Sequence, residues 1–214
     1  GVPEMIDWVC EHVPARGVVG VDGRLVTAAQ AGILEEKLKK NKVQLATDLD
    51  LIAGLWKDRP DLPVHPARLH SIEFAGRSAG DKLEELRDAM RGQEADAYLL
   101  SSLYDIAWLF NIRGGDTPMC PLLTAYALVE KERAILFVDE AKLTGEVRSS
   151  LASDGVETAS YEAVWSALET LPSASALYLC EDLVSARLRA TVPCKVVTGK
   201  ELTALPKARK NEIE

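Results

Sequence analysis

The stretch Leu122-Leu123-Thr124-Ala125-Tyr126-Ala127-Leu128-Val129, then Glu130-Lys131-Glu132-Arg133, then Ala134-Ile135-Leu136-Phe137-Val138 decides the fold. Two apolar runs of strand length flank a charged turn, which is the pattern of an antiparallel hairpin. Downstream the pattern changes. It predicts a helix over 140–151, a strand over 156–159, a helix over 161–171, a strand over 176–180, a helix over 184–189 and a strand over 195–197. A hairpin joined to helix and strand in alternation predicts an α/β fold, a mixed β-sheet flanked by helices. Upstream, Ser78-Ala79-Gly80-Asp81 reads as a capping box for a helix that carries Leu83, Leu86 and Met90 on one face and stops at Gly92. A strand over 96–100 follows. A second capping box, Ser102-Leu103-Tyr104-Asp105, then opens a short helix through Phe110.

Before residue 57 a smaller pattern stands apart. Met5, Ile6 and Val9 share one helical face, with Pro3 in the first turn, where no backbone donor is needed. Residues 17–22 and 43–46 read as strands around a helix that Thr27-Ala28-Ala29-Gln30 caps and that carries Ile33, Leu34 and Leu38. Two strands and two helices do not cover both faces of a parallel sheet, so this lobe is expected to be cut off at its start. Prolines at 60, 63 and 66 then fix an extended path, the expected boundary. The expected domains are a partial first lobe with its proline linker over 1–70, a second lobe over 71–204, and a connection to a further domain over 205–214. Residues 200–214 read as a helix cut in half.

With 214 residues, the chain has room for one large or two small domains. Apolar residues at 47% and charged residues at 27% are enough for a buried core. Lys and Arg number 25 against 33 for Asp and Glu, a net charge of −8 whose sign disfavours a nucleic-acid partner. No apolar run approaches the roughly 20 residues of a membrane helix. Without a signal-peptide pattern the protein is expected to be cytoplasmic, with no membrane partner. Cys10, Cys120, Cys180 and Cys194 form no Cys-x-x-Cys pair and read as small buried hydrophobes. Core packing is expected for Trp8, Trp56, Trp108 and Trp165.

Few residues point to chemistry. The three histidines, at 12, 65 and 70, have no His-x-x-x-His spacing, and Asp48 and Asp50 read as a helix cap and not as metal ligands. No dinucleotide-binding, P-loop or nucleophile-elbow motif is present. One segment crowds unusual groups together: Asp105-Ile106-Ala107-Trp108-Leu109-Phe110-Asn111-Ile112-Arg113-Gly114-Gly115-Asp116. It is read in two ways. Either Arg113 and Asp116 pair across a glycine turn that stops the helix, or the glycines admit a ligand or partner toward which Arg113 extends as a fixed cation.

This segment resembles the aminopeptidase P (Xaa-Pro aminopeptidase) family of the creatinase/prolidase superfamily, in its three-domain form. The resemblance rests on Leu55-Trp56-Lys57-Asp58-Arg59-Pro60, on Ile106-Ala107-Trp108-Leu109-Phe110-Asn111-Ile112-Arg113-Gly114 with Asp116, and on Pro121 ahead of Thr124-Ala125-Tyr126-Ala127-Leu128. Lys207, Lys210, Asn211 and Glu214 resemble the lead into the family's catalytic domain. Gly115 and Tyr104 depart from the residues common there. The resemblance implies a creatinase/prolidase N-terminal, ribonuclease H-like fold, preceded by a partial copy of a similar lobe. It further implies a metal-dependent hydrolase that removes an N-terminal residue preceding proline. Two divalent metals (manganese, cobalt or zinc) would activate a water and polarise the carbonyl from a catalytic domain outside this sequence. This chain would hold no metal and no catalytic residue. Asp105, Arg113 and Asp116 are expected to face that domain and shape substrate access. Expected partners are the protein's own C-terminal catalytic domain, short proline-containing peptides, and a second copy in a homodimer. The alternatives are a catalytically inactive creatinase-like scaffold and an Xaa-Pro dipeptidase.

Overall fold

The computed structural model describes residues 4–213. Pro3, expected in a first helical turn, and Glu214, part of the family resemblance, lie outside the described residues. The chain begins with α1 (Met5–His12), β1 (Val18–Gly20), α2 (Ala28–Lys39) and β2 (Gln44–Ala46). There follow β3 (Arg68–Leu69), α3 (Ile72–Ala75), α4 (Ala79–Gly92), β4 (Ala97–Leu100), α5 (Leu103–Leu109) and β5 (Ile112–Arg113). The hairpin is β6 (Ala125–Glu130) and β7 (Ala134–Val138). Next come α6 (Gly145–Ser153), β8 (Val156–Ala159), α7 (Ala163–Glu169), β9 (Ala176–Leu179), α8 (Ala186–Thr191), β10 (Lys195–Thr198) and α9 (Ala204–Ala208).

The chain divides into two units: Gly1–Asp61 with Glu181–Thr191, and Leu62–Cys180 with Val192–Glu214. In the first, β1 and β2 pair in parallel, Val18 beside Gln44. Thr27 and Gln30 close the capping box of α2 in both directions. The segment carrying α8, which the sequence pattern keeps with the second lobe, docks on the start of α2. Ala28 N donates to Val184 O at 2.8 Å and Ala186 N to Val26 O at 2.9 Å. Asp50 caps a turn, not a helix: its Oδ1 accepts from Ala53 N at 2.9 Å while Oδ2 takes Arg24 at 2.6 Å.

The second unit is built on a six-stranded mixed sheet in the order β10-β9-β4-β6-β7-β8. β4 runs antiparallel to β6, and β6 to β7; the pairs β10–β9, β9–β4 and β7–β8 are parallel. Every residue of β4, β7 and β9 is buried, as the continuous apolar runs of these strands require. The outer strands are short and carry charge, Glu157 on β8 and Lys195 on β10, which discourages pairing with further chains. Leu83, Leu86 and Met90 of α4 join Ile106 and Leu109 of α5 in the core over Ala127, Val129 and Leu136.

Several expectations are corrected. The helix expected over 140–151 is a 3-10 turn at Glu140–Lys142 and then α6, which Thr144 caps. The helix expected over 200–214 is only Ala204–Ala208. Beyond it the chain turns back, and Asn211 Nδ2 donates to Phe74 O at 2.9 Å. Of the four cysteines only Cys180 is buried. Trp8 and Trp56 are exposed, Trp8 stacked on His12 and Trp56 beneath Arg59.

Candidate functional site

The crowded segment 105–116 is folded tightly, and one amide organises it. Asn111 takes a left-handed conformation, φ 52°, which asparagine tolerates better than most residues and which turns the chain from α5 into β5. Its carbonyl oxygen accepts from His70 N at 2.7 Å. Its side chain donates through Nδ2 to Arg77 O at 2.8 Å and accepts through Oδ1 from Lys82 Nζ at 2.6 Å. Lys82 is 2% exposed. Its ammonium also donates to Trp108 O at 2.8 Å and lies 4.6 Å from the centre of the Trp108 ring, a cation–π contact.

Arg113 ends this run. Its Nη1 donates to Ala107 O at 2.9 Å and to Ile112 O at 3.0 Å, which fixes one edge of the guanidinium. Burial, and then the charge of Arg68, hold its pKa below the usual arginine value. Gly114 follows because nothing larger fits: a Cβ there would lie 2.5 Å from Leu123 Cβ and 2.7 Å from Leu122 O.

Asp116 does not pair with Arg113. Its side chain is fully buried, with Oδ2 accepting from Thr124 N at 2.7 Å and from Lys142 Nζ at 2.6 Å, and Lys142 itself is 2% exposed. Burial pushes the carboxyl up, but the Lys142 ammonium and the backbone N–H donors outweigh it and hold Asp116 below the usual carboxylate range. Asp105 is buried as well, 1% exposed, and ion-paired with Lys207. Its Oδ2 is buried without a hydrogen-bond partner among the described residues. Ser102 Oγ accepts from Asp105 N, but the carboxylate does not return the bond, so the expected capping box is half made. A buried carboxylate is stabilised more by a lysine than by an N-cap amide.

The three expected site residues are therefore not equivalent. Asp105 and Asp116 point inward to lysines, whereas Arg113 lines a cleft of about 170 Å³ with His70, Arg77, Trp108, Arg209 and Lys210. Sequence reasoning missed Lys82, Lys142 and Arg77. Lys82 left one signal, a charged residue on the apolar stripe of Ala79, Leu83, Leu86 and Met90. Lys142 left none. Among the described residues no group of three or more His, Cys, Asp or Glu is placed to hold a metal ion. No helix among them is long and apolar enough to cross a membrane.

The six-stranded mixed sheet with helices packed against it makes the second unit an α/β domain. The chain belongs to the creatinase/prolidase N-terminal domain family, which it matches over residues 58–214. A "Probable Xaa-Pro aminopeptidase P" of Leptosphaeria maculans is 39% identical over 171 residues, 79% of this chain and 28% of that protein. "Aminopeptidase P2" of Arabidopsis thaliana is 34% identical over 184 residues, 85% of this chain and 26% of that protein. The crystal structure of an X-prolyl aminopeptidase from Caenorhabditis elegans, described as a cytosolic enzyme with a di-nuclear active site, matches with a TM-score of 0.91 at 25% identity. That match covers 98% of this chain and 35% of the other. The chain thus spans about a quarter of the length of these curated relatives.

Proposed function

We propose that this chain is the non-catalytic N-terminal region of a metal-dependent Xaa-Pro aminopeptidase, a cytoplasmic hydrolase that removes an N-terminal residue preceding proline. In this reading residues 1–70 are the later part of a first creatinase-like lobe and its proline linker. Residues 71–204, apart from the segment Glu181–Thr191 that packs with the first unit, are the second lobe, and 205–214 lead into a catalytic domain that holds the two divalent ions. Arg113 faces that domain and the path of the peptide, while Asp105 and Asp116 act as positioning residues that hold the turn from inside. The region shapes access for short proline-containing peptides and supports a homodimer. The observation that carries the reading is the similarity to Xaa-Pro aminopeptidase P relatives along most of the chain, at 39% identity over 79% of it.

The test is hydrolysis of Xaa-Pro peptides with added manganese, comparing this 214-residue chain with the product of the full gene. An active full product and an inactive chain are expected. Activity in the chain alone would overturn the non-catalytic reading, and silence in both would favour a scaffold that has lost catalysis.

A further inference from the structure

Three side chains of the C-terminal segment each reach a different helix of the second unit. Lys207, in α9, pairs with the buried Asp105 of α5. Arg209 Nη1 donates to Glu85 Oε1 of α4 at 3.0 Å. Asn211 Nδ2 donates to Phe74 O of α3 at 2.9 Å. Helix α9 stops at Ala208 and Arg209 is extended, φ −72° and ψ 121°, which lets the chain run on across α4 to α3 instead of winding further.

The last of these contacts matters most to α3. That helix holds four residues, a single turn, too short to persist on its own hydrogen bonds, and a helix end leaves carbonyls without intrahelical partners. Asn211 supplies a donor to one of them. Gly76 ends α3 in the left-handed region, φ 71°, and a Cβ there would lie 3.0 Å from Asn211 Nδ2 and 3.1 Å from its Cβ. Glycine thus serves both the turn and the close approach of Asn211. The next residue belongs to the Arg113 turn: Arg77 O accepts from Asn111 Nδ2 at 2.8 Å, the amide that organises that turn. Arg77 Nη2 donates to Asp81 O at 3.0 Å, and Nη1 bonds Glu85, the carboxylate that Arg209 also uses. The C-terminal segment and the turn therefore meet at two adjacent residues, Gly76 and Arg77.

We infer that residues 204–211 form a positioning strap that holds α3, α4 and α5 together and, through Gly76 and Arg77, ties the placement of the C-terminal segment to the Arg113 turn. When Asn211 lets go, α3 loses its cap and Arg77 O shifts. Asn111, held at φ 52° between α5 and β5, then moves with it. The inference rests on contacts within the second unit and is independent of the peptidase reading.

The test is amide hydrogen exchange of this chain, followed residue by residue by NMR, in the unaltered protein, in Asn211→Ala and in Lys207→Met. The amides of Ala75 and Gly76 bond Ser71 O and Ile72 O, and that of His70 bonds Asn111 O. In Asn211→Ala these three should exchange about fivefold faster or more, the loss of one hydrogen bond, and the Asn111 to Gly114 resonances should move while β6 and β7 keep their rates. Lys207→Met takes the ammonium from the buried Asp105 and should release the same amides more strongly. Unchanged rates at His70, Ala75 and Gly76 in Asn211→Ala, or an acceleration shared equally by β6 and β7, would overturn the strap. Opening of α3 with the Asn111 to Gly114 resonances unmoved would overturn its tie to the turn. Should both variants fail to fold, the unaltered chain decides: α3 amides as protected as those of α4 are expected, and exchange at free-peptide rates would overturn the inference.

Discussion

Arg68 and Arg113 stand directly opposite each other across the two-stranded ribbon of β3 and β5, with Leu69 opposite Ile112 beside them. Side chains so placed are neighbours on one face, and like charges there destabilise the pair by about 0.2–1 kcal/mol. Arg68→Gln is therefore expected to raise stability by about that amount at low ionic strength, with the gain shrinking as salt screens the repulsion. Urea unfolding at two salt concentrations reads it. A loss of stability, or a gain unaffected by salt, would show that the two guanidiniums do not oppose each other.

The Asp116–Lys142 pair is buried on both sides. Removing one partner of such a pair leaves an uncompensated charge, so Asp116→Asn is expected to destabilise the fold by about 3–5 kcal/mol. Exchanging both residues for apolar ones of similar volume should recover most of that loss. Denaturant midpoints of the single and double variants test the non-additivity.

Asp116 also predicts a pH dependence. Its folded-state pKa lies below the ordinary carboxylate value, so the unfolded chain takes up the proton first as pH falls. The stabilisation is complete above the unfolded value of about 4 and is lost as pH drops through the lower, folded value. Thermal unfolding followed downward from neutral pH should therefore show a steeper acid decline in the unaltered chain than in Asp116→Asn. Parallel curves would remove Asp116 as the group responsible.

Adjacent glycines should behave differently. Gly114→Ala drives a Cβ into Leu123 and the Leu122 carbonyl, which must move, and is expected to cost about 1–3 kcal/mol. At Gly115 the nearest atoms to a new Cβ are His65 Cβ at 3.3 Å and Cγ at 3.4 Å, so His65 need give way by only a few tenths of an ångström. Gly115→Ala should stay within about 0.5 kcal/mol of the starting stability. Equal losses at the two positions would refute the close approach assigned to Gly114.

Lys82→Met keeps the buried stem and removes the ammonium, leaving Asn111 Oδ1 and Trp108 O without that donor. The expected loss is about 1–3 kcal/mol, with a shifted Trp108 indole resonance that marks the lost cation above the ring. An unchanged resonance in a folded variant would contradict the contact.

Much of the fold was legible because it is written locally. The hairpin of β6 and β7 follows from two apolar runs around four charged residues, and Thr27 and Ser78 start their helices through side-chain bonds reaching three residues along the chain. Buried strands such as β7 announce themselves as uninterrupted apolar runs. The two-residue strands β3 and β5 were invisible, being too short for any period and held by a partner far away in sequence.

The candidate site divides along the same line. The sequence by itself determined that residues 105–116 concentrate charge, glycine and aromatic surface, and left open whether Arg113 pairs with Asp116 or extends as a fixed cation. Only the tertiary structure decided what each charge does. Asp105 finds Lys207, Asp116 finds Lys142, and Lys82 finds Asn111, partners 102, 26 and 29 positions apart in the chain. A buried charge takes whatever partner the folded core brings within hydrogen-bond reach, and that choice depends on how distant segments pack, which no local pattern encodes.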